Sequence, residues 1–264
     1  MNPLLDKLGR APSLDNIQRA LFVQPHPDDN QVAAAGLISK LVAEGKEVYE
    51  LTVCDDREVD IGYTGEGLTT RQKEVLAAEE CLGLKHAGFL GFADKTRASA
   101  DDISVKIVEV IRKIKPDAVF TADPSLYTEC HSDHIKTGEA VKYAVMDAEC
   151  AFYPSLINGQ LRDDAWKVDM IGFYYTDRAN TFVDVTEFFE KKIESVKCHV
   201  SQQAPGFLFA IGALDQAAAA AFREKYDGPG ECEYAEGYRV MSNLHMHCFN
   251  HDVLPYKEEE DDDD

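Results

Sequence analysis

Ala20-Leu21-Phe22-Val23, followed at once by Gln24-Pro25-His26-Pro27-Asp28-Asp29, is the stretch that sets the fold class of this chain. Four consecutive apolar residues read as a strand buried on both faces. The run stops at an imidazole and two carboxylates. In open α/β sheets the carboxyl end of a strand is where ligands bind. A second apolar run, Ala118-Val-Phe-Thr-Ala122, leads in the same way to His131-Ser132-Asp133-His134. Two strand ends that each offer His and Asp point to a mononuclear metal site.

Outward from these runs the pattern alternates strand and helix. The run 21–24 is followed by a helix over 31–44, with apolar residues at 32, 33, 37, 38, 41 and 42, closed by Gly45. A strand over 47–54, a polar loop holding Gly62, Gly65 and Gly67, a helix over 70–82 and a strand over 87–92 come next. Asp101 and Asp102 can cap a helix through Ile114, and a strand over 117–122 precedes a helix from Asp133 to about Ala148. Four such units predict a parallel sheet with helices on both faces. Further on, 170–175 and 181–185 are expected to pair as strands across the turn 177–180. Helices over 186–201 and 213–225 and a strand over 234–241 close the pattern. The mixed segment 1–18 predicts a short surface helix. The fold class is therefore α/β, a Rossmann-like and mostly parallel sheet. A single domain over 1–256 carries an α+β C-terminal extension, and 257–264 forms an acidic, disordered tail. The loop after the first strand is Pro-His-Pro-Asp-Asp-Asn where a dinucleotide would need bare glycines, which argues against a nicotinamide cofactor.

Composition narrows the function classes. The chain has 264 residues and a formal net charge of −21, and its last eight residues, KEEEDDDD, hold one Lys against seven carboxylates. Such a surface repels phosphate backbones, so nucleic acid and anionic membranes are excluded as partners. No apolar stretch reaches the roughly 20 residues of a membrane span, and the N-terminus lacks a basic-then-apolar leader. The seven cysteines (54, 81, 130, 150, 198, 232 and 248) include no CxxC pair. That speaks for reduced, mostly core thiols in a cytoplasmic protein rather than a disulfide framework or thiolate zinc site. Trp166, Tyr174 and Tyr175 read as core aromatics.

The spacing of the two clusters fits hydrolytic metal chemistry. His26 and Asp29 flank the first turn of a helix, and His131 and His134 are likewise three apart, close enough to converge. Two His and one carboxylate suit Zn²⁺ and leave a fourth position for water. Asp28 and Asp29 are neighbours whose side chains diverge, so one ligates while the other serves as general base. The remaining His can hydrogen-bond the oxyanion of a tetrahedral intermediate, with Asp133 fixing its tautomer. His-Pro-Asp-Asp alone would read equally as a helix N-cap. The recurrence of the same ligand types at a second strand end favours the metal.

His26-Pro27-Asp28-Asp29 with His131-x-Asp133-His134 resembles the PIG-L/LmbE family of zinc-dependent N-acetyl-sugar deacetylases. Arg71-x-x-Glu74 before Leu82-Gly83, Leu90-Gly-Phe-Ala-Asp94, His199-x-Ser201-Gln202 and Tyr234-Ala-Glu236-Gly-Tyr-Arg extend the resemblance from about Ala20 to His251. Phe120-Thr-Ala-Asp-Pro124, Tyr174-Tyr-Thr176, Val183-Asp-Val-Thr186 and Gly237-Tyr-Arg-Val-Met241 resemble its diacetylchitobiose deacetylase branch. The resemblance implies one Zn²⁺ per chain on His26, Asp29 and His134, with Asp28 as general base. It implies that His131 stabilises the oxyanion or acts as acid and that Asp133 orients it. Arg71 and Asp94 then contact the sugar, and His199 and Gln202 brace the site wall. His247 completes the pocket of a neighbouring copy in a homo-oligomer, a trimer or hexamer. Ser132 stands where Pro is usual, Ala35-Gly36-Leu37 replaces Gly-Gly-Thr, and Asn30 follows the paired Asp where Glu or Cys is frequent. None of these departures removes a reactive group. The implied activity is removal of the N-acetyl group from an amino sugar such as N-acetylglucosamine or diacetylchitobiose. Two rivals stand beside it: a noncatalytic metal-containing protein that binds a glycoside or nucleotide, and a deacetylase of thiol-conjugated or lipid-linked glycosides.

Overall fold

Strand β1 (Arg19–Gln24) lies in the middle of the sheet, and its alternate side chains enter two different cores. Ala20 and Phe22 pack with Ala34, Leu37 and Leu41 of helix α1 (Asp29–Ala43). Leu21 and Val23 pack on the opposite face with Ile107 and Ile111 of one helix and Val141 and Val145 of another. A strand covered on both sides has no polar face, which is why its run is unbroken.

The computed structural model describes residues 8–57, 60, 63–153, 160–226 and 228–257. Beyond β1 the sheet contains β2 (Glu47–Cys54), β3 (Lys85–Phe92), β4 (Ala118–Ala122), β5 (Met170–Tyr174), β6 (Thr181–Asp184) and β7 (Ala235–Ser242), in the order β3-β2-β1-β4-β5-β7-β6. The five strands from β3 to β5 in that order are parallel, whereas β7 runs antiparallel to both its neighbours. The remaining helices are α2 (Thr70–Leu82), α3 (Ala100–Ile114), α4 (Ser132–Asp147), α5 (Phe189–Lys197) and α6 (Phe207–Lys225). The connection after β1 leads to β2 on one side and that after β4 to β5 on the other, though β1 and β4 are adjacent. The order reverses there, so the two loops part and leave a crevice at the strands' carboxyl ends.

The mostly parallel α/β sheet agrees with the sequence expectation, but several elements differ. The segments 170–175 and 181–185 do not form a hairpin, because β7 lies between them. Tyr175 turns the chain out of the sheet at φ 51°. Asn180, in the expected turn, donates through Nδ2 to the Val240 carbonyl (2.9 Å) and accepts the Val240 N–H (2.8 Å). Its side chain thus binds β7 as a strand backbone would. The helix expected over 186–201 keeps only 189–197. Thr186 is drawn to the β7 side by the N–H groups of Glu233 and Tyr234. Beyond the helix, Ser201 is held by Glu74 of α2 through two contacts of 2.7 Å. Helix α6 begins six residues before the expected Ala213, because Phe207-Leu-Phe-Ala-Ile is apolar throughout and shows no period. Helix α3 is capped by Ser99 rather than by Asp101 or Asp102. Asp102 closes the capping box by accepting the Ser99 N–H at 2.9 Å.

Of the segment expected to hold a short surface helix, residues 1–7 lie outside the described residues, Leu8 is helical, and Leu14–Asn16 forms a 3₁₀ turn. The acidic tail beyond Lys257, and residues 58, 59, 61 and 62 of the Gly-rich loop, lie outside the described residues. All seven cysteines are free, but only Cys54 and Cys232 are buried, which corrects the expectation that most sit in the core. Among the described residues no helix is long and apolar enough to cross a membrane.

Candidate metal centre

Each cluster is delivered by a strand end and a helix start. After β1 the His26 carbonyl accepts the Asp28 N–H at 2.9 Å and the Asp29 N–H at 3.3 Å, a tight turn that opens α1. Asp28 sits at the N-cap with φ 155°, a conformation that L residues rarely adopt, and makes no side-chain cap bond. Its carboxylate is left free for the crevice. On the other side His131 caps α4, its Nδ1 accepting the Asp133 N–H at 3.4 Å. Gly138 lets α4 press against the end of β4, since a Cβ there would lie 2.5 Å from the Ala122 carbonyl oxygen.

The two clusters meet in space. Asp29 spans two imidazoles, with Oδ2 3.4 Å from His26 Nδ1 and Oδ1 3.4 Å from His134 Nε2. These separations are long for hydrogen bonds. They run to different oxygens of Asp29, so the carboxylate reaches one imidazole through each oxygen. By residue type, two imidazoles and one carboxylate suit a zinc-type divalent ion. Among the described residues, the groups whose donor atoms all lie within 4.8 Å of one another are His26, His131 and His134, and His26, Asp94, His131 and Asp133; Asp29 belongs to neither.

Both candidate ligand imidazoles are backed by a carboxylate. His26 turns Nε2 to Asp133 Oδ2 (3.3 Å) and Asp94 Oδ1 (3.4 Å), so Nδ1 is the nitrogen that faces Asp29. His134 turns Nδ1 to Glu129 Oε2 at 2.9 Å, which aims Nε2 at Asp29. Glu129 also accepts the His131 N–H through Oε1, at 2.6 Å. Carboxylates behind ligating histidines fix the tautomer and raise ligand basicity. Asp133 does not bond the His131 ring through its carboxylate, as the family resemblance implies. That group holds His26 and accepts the Lys95 N–H at 2.6 Å, and only the Asp133 amide reaches His131.

Charge in the site follows from this packing. Burial disfavours a proton on His26, yet Asp133 and Asp29 outweigh it and raise the imidazole to about 10. His134 is raised by Asp29 against the same burial cost. Asp29 is held well below the carboxylate range, because its two imidazoles overcome the burial that would raise it. His131 is pushed down by burial and by the other two imidazoles, which favours its neutral form. Burial and the neighbouring Asp29 push Asp28 up to about 7.

The other expected site residues divide. Arg71, near the start of α2, donates to Asp28 Oδ2 (2.9 Å) and the Pro27 carbonyl (2.8 Å), and also pairs with Asp56. It ties the metal loop to the end of β2. Asp94 stands at the cluster beside His26. His199 is fully buried, neither ring nitrogen is partnered, and burial with nearby Arg71 lowers it to about 4. Gln202 donates to Ser201 on the surface at 2.9 Å. His247 is exposed, and no hydrogen bond or ion pair joins it to the cluster. Trp166 is packed against the α3–α4 core and donates to the Pro116 carbonyl at 2.8 Å.

Two residues stand at the site that the sequence reading did not place there, Glu129, which it passed over, and Tyr175, which it read as a core aromatic. Glu129 was marked only by being the one carboxylate between Asp123 and His131. Tyr175 stacks nearly parallel to His134, ring centres 6.0 Å apart. Both line a cavity of about 490 Å³ that opens beside His134.

The family model described as PIG-L, GlcNAc-PI de-N-acetylase, matches residues 21–145, a span that includes both clusters. Diacetylchitobiose deacetylase of Thermococcus kodakarensis is 30% identical over 241 residues, covering 88% of this chain and 86% of that protein. The structure of N,N'-diacetylchitobiose deacetylase from Pyrococcus horikoshii superposes with a TM-score of 0.74 at 26% identity, covering 89% of this chain and 88% of the other. GalB, the 4-carboxy-2-hydroxymuconate hydratase of a Pseudomonas species, superposes at 0.68 with 18% identity over 92% of this chain and 99% of its own, a likeness of fold alone.

Proposed function

We propose that this chain, which belongs to the PIG-L family, is a zinc-dependent hydrolase that removes the N-acetyl group of an amino sugar, yielding a free amine and acetate. The observation that carries the reading is Asp29 spanning His26 and His134 at 3.4 Å on each side, beside a second carboxylate, Asp28, that no helix cap consumes. A binding protein needs the first feature but not the second.

His26, Asp29 and His134 would hold the ion. Zinc supplies Lewis acidity to the amide carbonyl and lowers the pKa of water towards about 7. Asp28 is the general base: Arg71 occupies Oδ2, leaving Oδ1 to take the proton of the attacking water. His131 accepts the Asp133 N–H at Nδ1, so the neutral ring carries its proton on Nε2 and can donate it to the oxyanion. Asp133 and Glu129 position His26 and His134, and Asp133 also sets the His131 tautomer through its amide. Asp28 then returns its proton to the leaving amine. Arg71 and Asp94 border the bound sugar.

An uncharged N-acetylglucosamine unit suits a chain of net charge −21 better than a sugar phosphate does. N-acetylglucosamine and diacetylchitobiose are therefore the substrates proposed. His247, exposed and apart from its own cluster, is assigned to the pocket mouth of a neighbouring copy in a homo-oligomer. The test is zinc content per chain together with acetate release from both sugars. One zinc per chain and acetate from either sugar are expected. Full zinc content without acetate from any N-acetyl sugar would favour the noncatalytic binding protein. Activity confined to thiol-conjugated or lipid-linked glycosides would overturn the substrate.

A further inference from the structure

Asp28 occupies the N-cap of α1, where an Asp ordinarily spends its carboxylate on the helix's free N–H groups. Here Gln24, the last residue of β1, makes those bonds. Its Oε1 accepts the Asp28 N–H at 3.3 Å and the Asn30 N–H at 3.1 Å. A primary amide can lie either way round, and the reversed orientation would turn NH₂ against two N–H donors. The orientation is set from behind. Gln24 Nε2 donates to Glu50 Oε1 (3.2 Å) and Thr52 Oγ1 (2.9 Å), both on β2.

Glu50 is fully buried, as are Gln24, Asn30 and Gln31. Asn30 donates to Glu50 Oε2 at 3.0 Å, and Gln31 donates to both oxygens at 2.8 and 3.2 Å. Burial pushes the Glu50 carboxyl up to about 8. As the amides lie, the three neighbours on its oxygens are N–H donors, while Gln31 Oε1 on one of the same amides is buried without a partner. Asn30 Oδ1 then accepts the Tyr174 hydroxyl at 3.1 Å, which ties the network to β5. A buried polar group is retained at considerable cost unless it is hydrogen-bonded. Both Glu50 oxygens are hydrogen-bonded, and what they orient, through Gln24, is the backbone beneath Asp28.

We infer that Gln24 and Glu50 are positioning residues for the proposed deacetylation: Gln24 caps α1 in place of Asp28, and Glu50 fixes the Gln24 amide, which holds Asp28 at its strained φ with its carboxylate free. The inference rests on Asp28 being the base, but the cap itself is measurable without turnover. In Gln24→Met the apolar side chain fills the site and accepts nothing. The Asn30 amide, whose acceptor is Gln24, should then exchange with solvent at least about tenfold faster, while the Asp28 amide keeps its 2.9 Å bond to the His26 carbonyl. The kcat should fall about tenfold or more with KM within about twofold, because a reacting group has been displaced, and zinc content should not change.

The decisive variant exchanges the two groups. Gln24→Glu and Glu50→Gln singly leave two carboxylates facing, or an NH₂ among donors. Together they restore one acceptor for the helix N–H groups and one donor–acceptor pair between strands. The pair should recover kcat and amide protection to within about threefold of the parent, a coupling that independent sites do not show. If the pair is no better than the worse single variant, or Gln24→Met folds with parental exchange and kcat, the inference is wrong. If Gln24→Met does not fold, the exchanged pair decides. Should the parent chain lack deacetylase activity, the proposed function fails while the exchange measurements still test the cap.

Discussion

Glu129 is the sharpest place to test the metal centre, because its carboxylate holds two of the cluster's histidines and sequence reading passes over it. Its Oε2 accepts from His134 Nδ1 at 2.9 Å while its Oε1 accepts the His131 N–H at 2.6 Å. Removing a carboxylate from behind a ligating histidine typically costs 10- to 100-fold in metal affinity, about 1.4–2.7 kcal/mol. Glu129→Ala loses both contacts and belongs at the upper end. Glu129→Gln keeps one, because an amide has a single acceptor end, and belongs near tenfold. The measurement is zinc dissociation by competition with a chromogenic chelator at fixed pH, with a thermal melt of each variant to establish that it is folded. Glu129→Ala should also slow turnover at saturating zinc, because His131 loses the bond that holds its backbone. Zinc affinity within twofold of the parent in both folded variants would refute the reasoning, since His134 would then be aimed without Glu129.

Asp28→Asn should keep zinc and lose at least ~10²-fold in deacetylation, the lower end for general-base catalysis; near-parental turnover would remove it as the base. His131→Ala should keep zinc and cost about 3 kcal/mol of transition-state stabilisation. Asp133→Ala should lower zinc affinity as well as turnover, because its carboxylate faces His26. Equal zinc binding in those two variants would contradict that placement. His199, buried and lowered to about 4, binds its proton far more readily when unfolded. It contributes stability above its ordinary value near 6.5, and about 3 kcal/mol of that is lost as the pH falls through 4. His199→Gln should therefore unfold with a flatter pH dependence between 6.5 and 4, read from urea midpoints; an unchanged slope would show that His199 is already protonated in the fold.

The parallel half of the sheet was legible because strands covered on both faces leave unbroken apolar runs, as in Ala118–Ala122. The antiparallel half was less so. Whether 170–174 and 181–184 pair with each other or with 235–242 depends on Asn180 meeting Val240, sixty residues away. The early start of α6 was hidden for a related reason, since an all-apolar first turn carries no period. Of the site, the reacting residues were visible and their supports were not. Asp133 as partner of His26 joins residues 107 apart in the chain, and Arg71 is separated from Asp28 by helix α1, strand β2 and the loop after it.

What the sequence determines by itself is chemistry and order: imidazoles and carboxylates at the ends of two apolar runs, in a ligand set that suits a divalent ion. Those are properties of residue type and local spacing, which every conformation of the chain shares. Which oxygen faces which nitrogen was decided only when β1 and β4 became neighbours at the point where strand order reverses. Hydrogen-bond direction depends on ångström-scale placement of groups from distant segments. That is how Asp29 comes to span two imidazoles, how Glu129 comes to lie behind His134, and how Gln24 leaves Asp28 free.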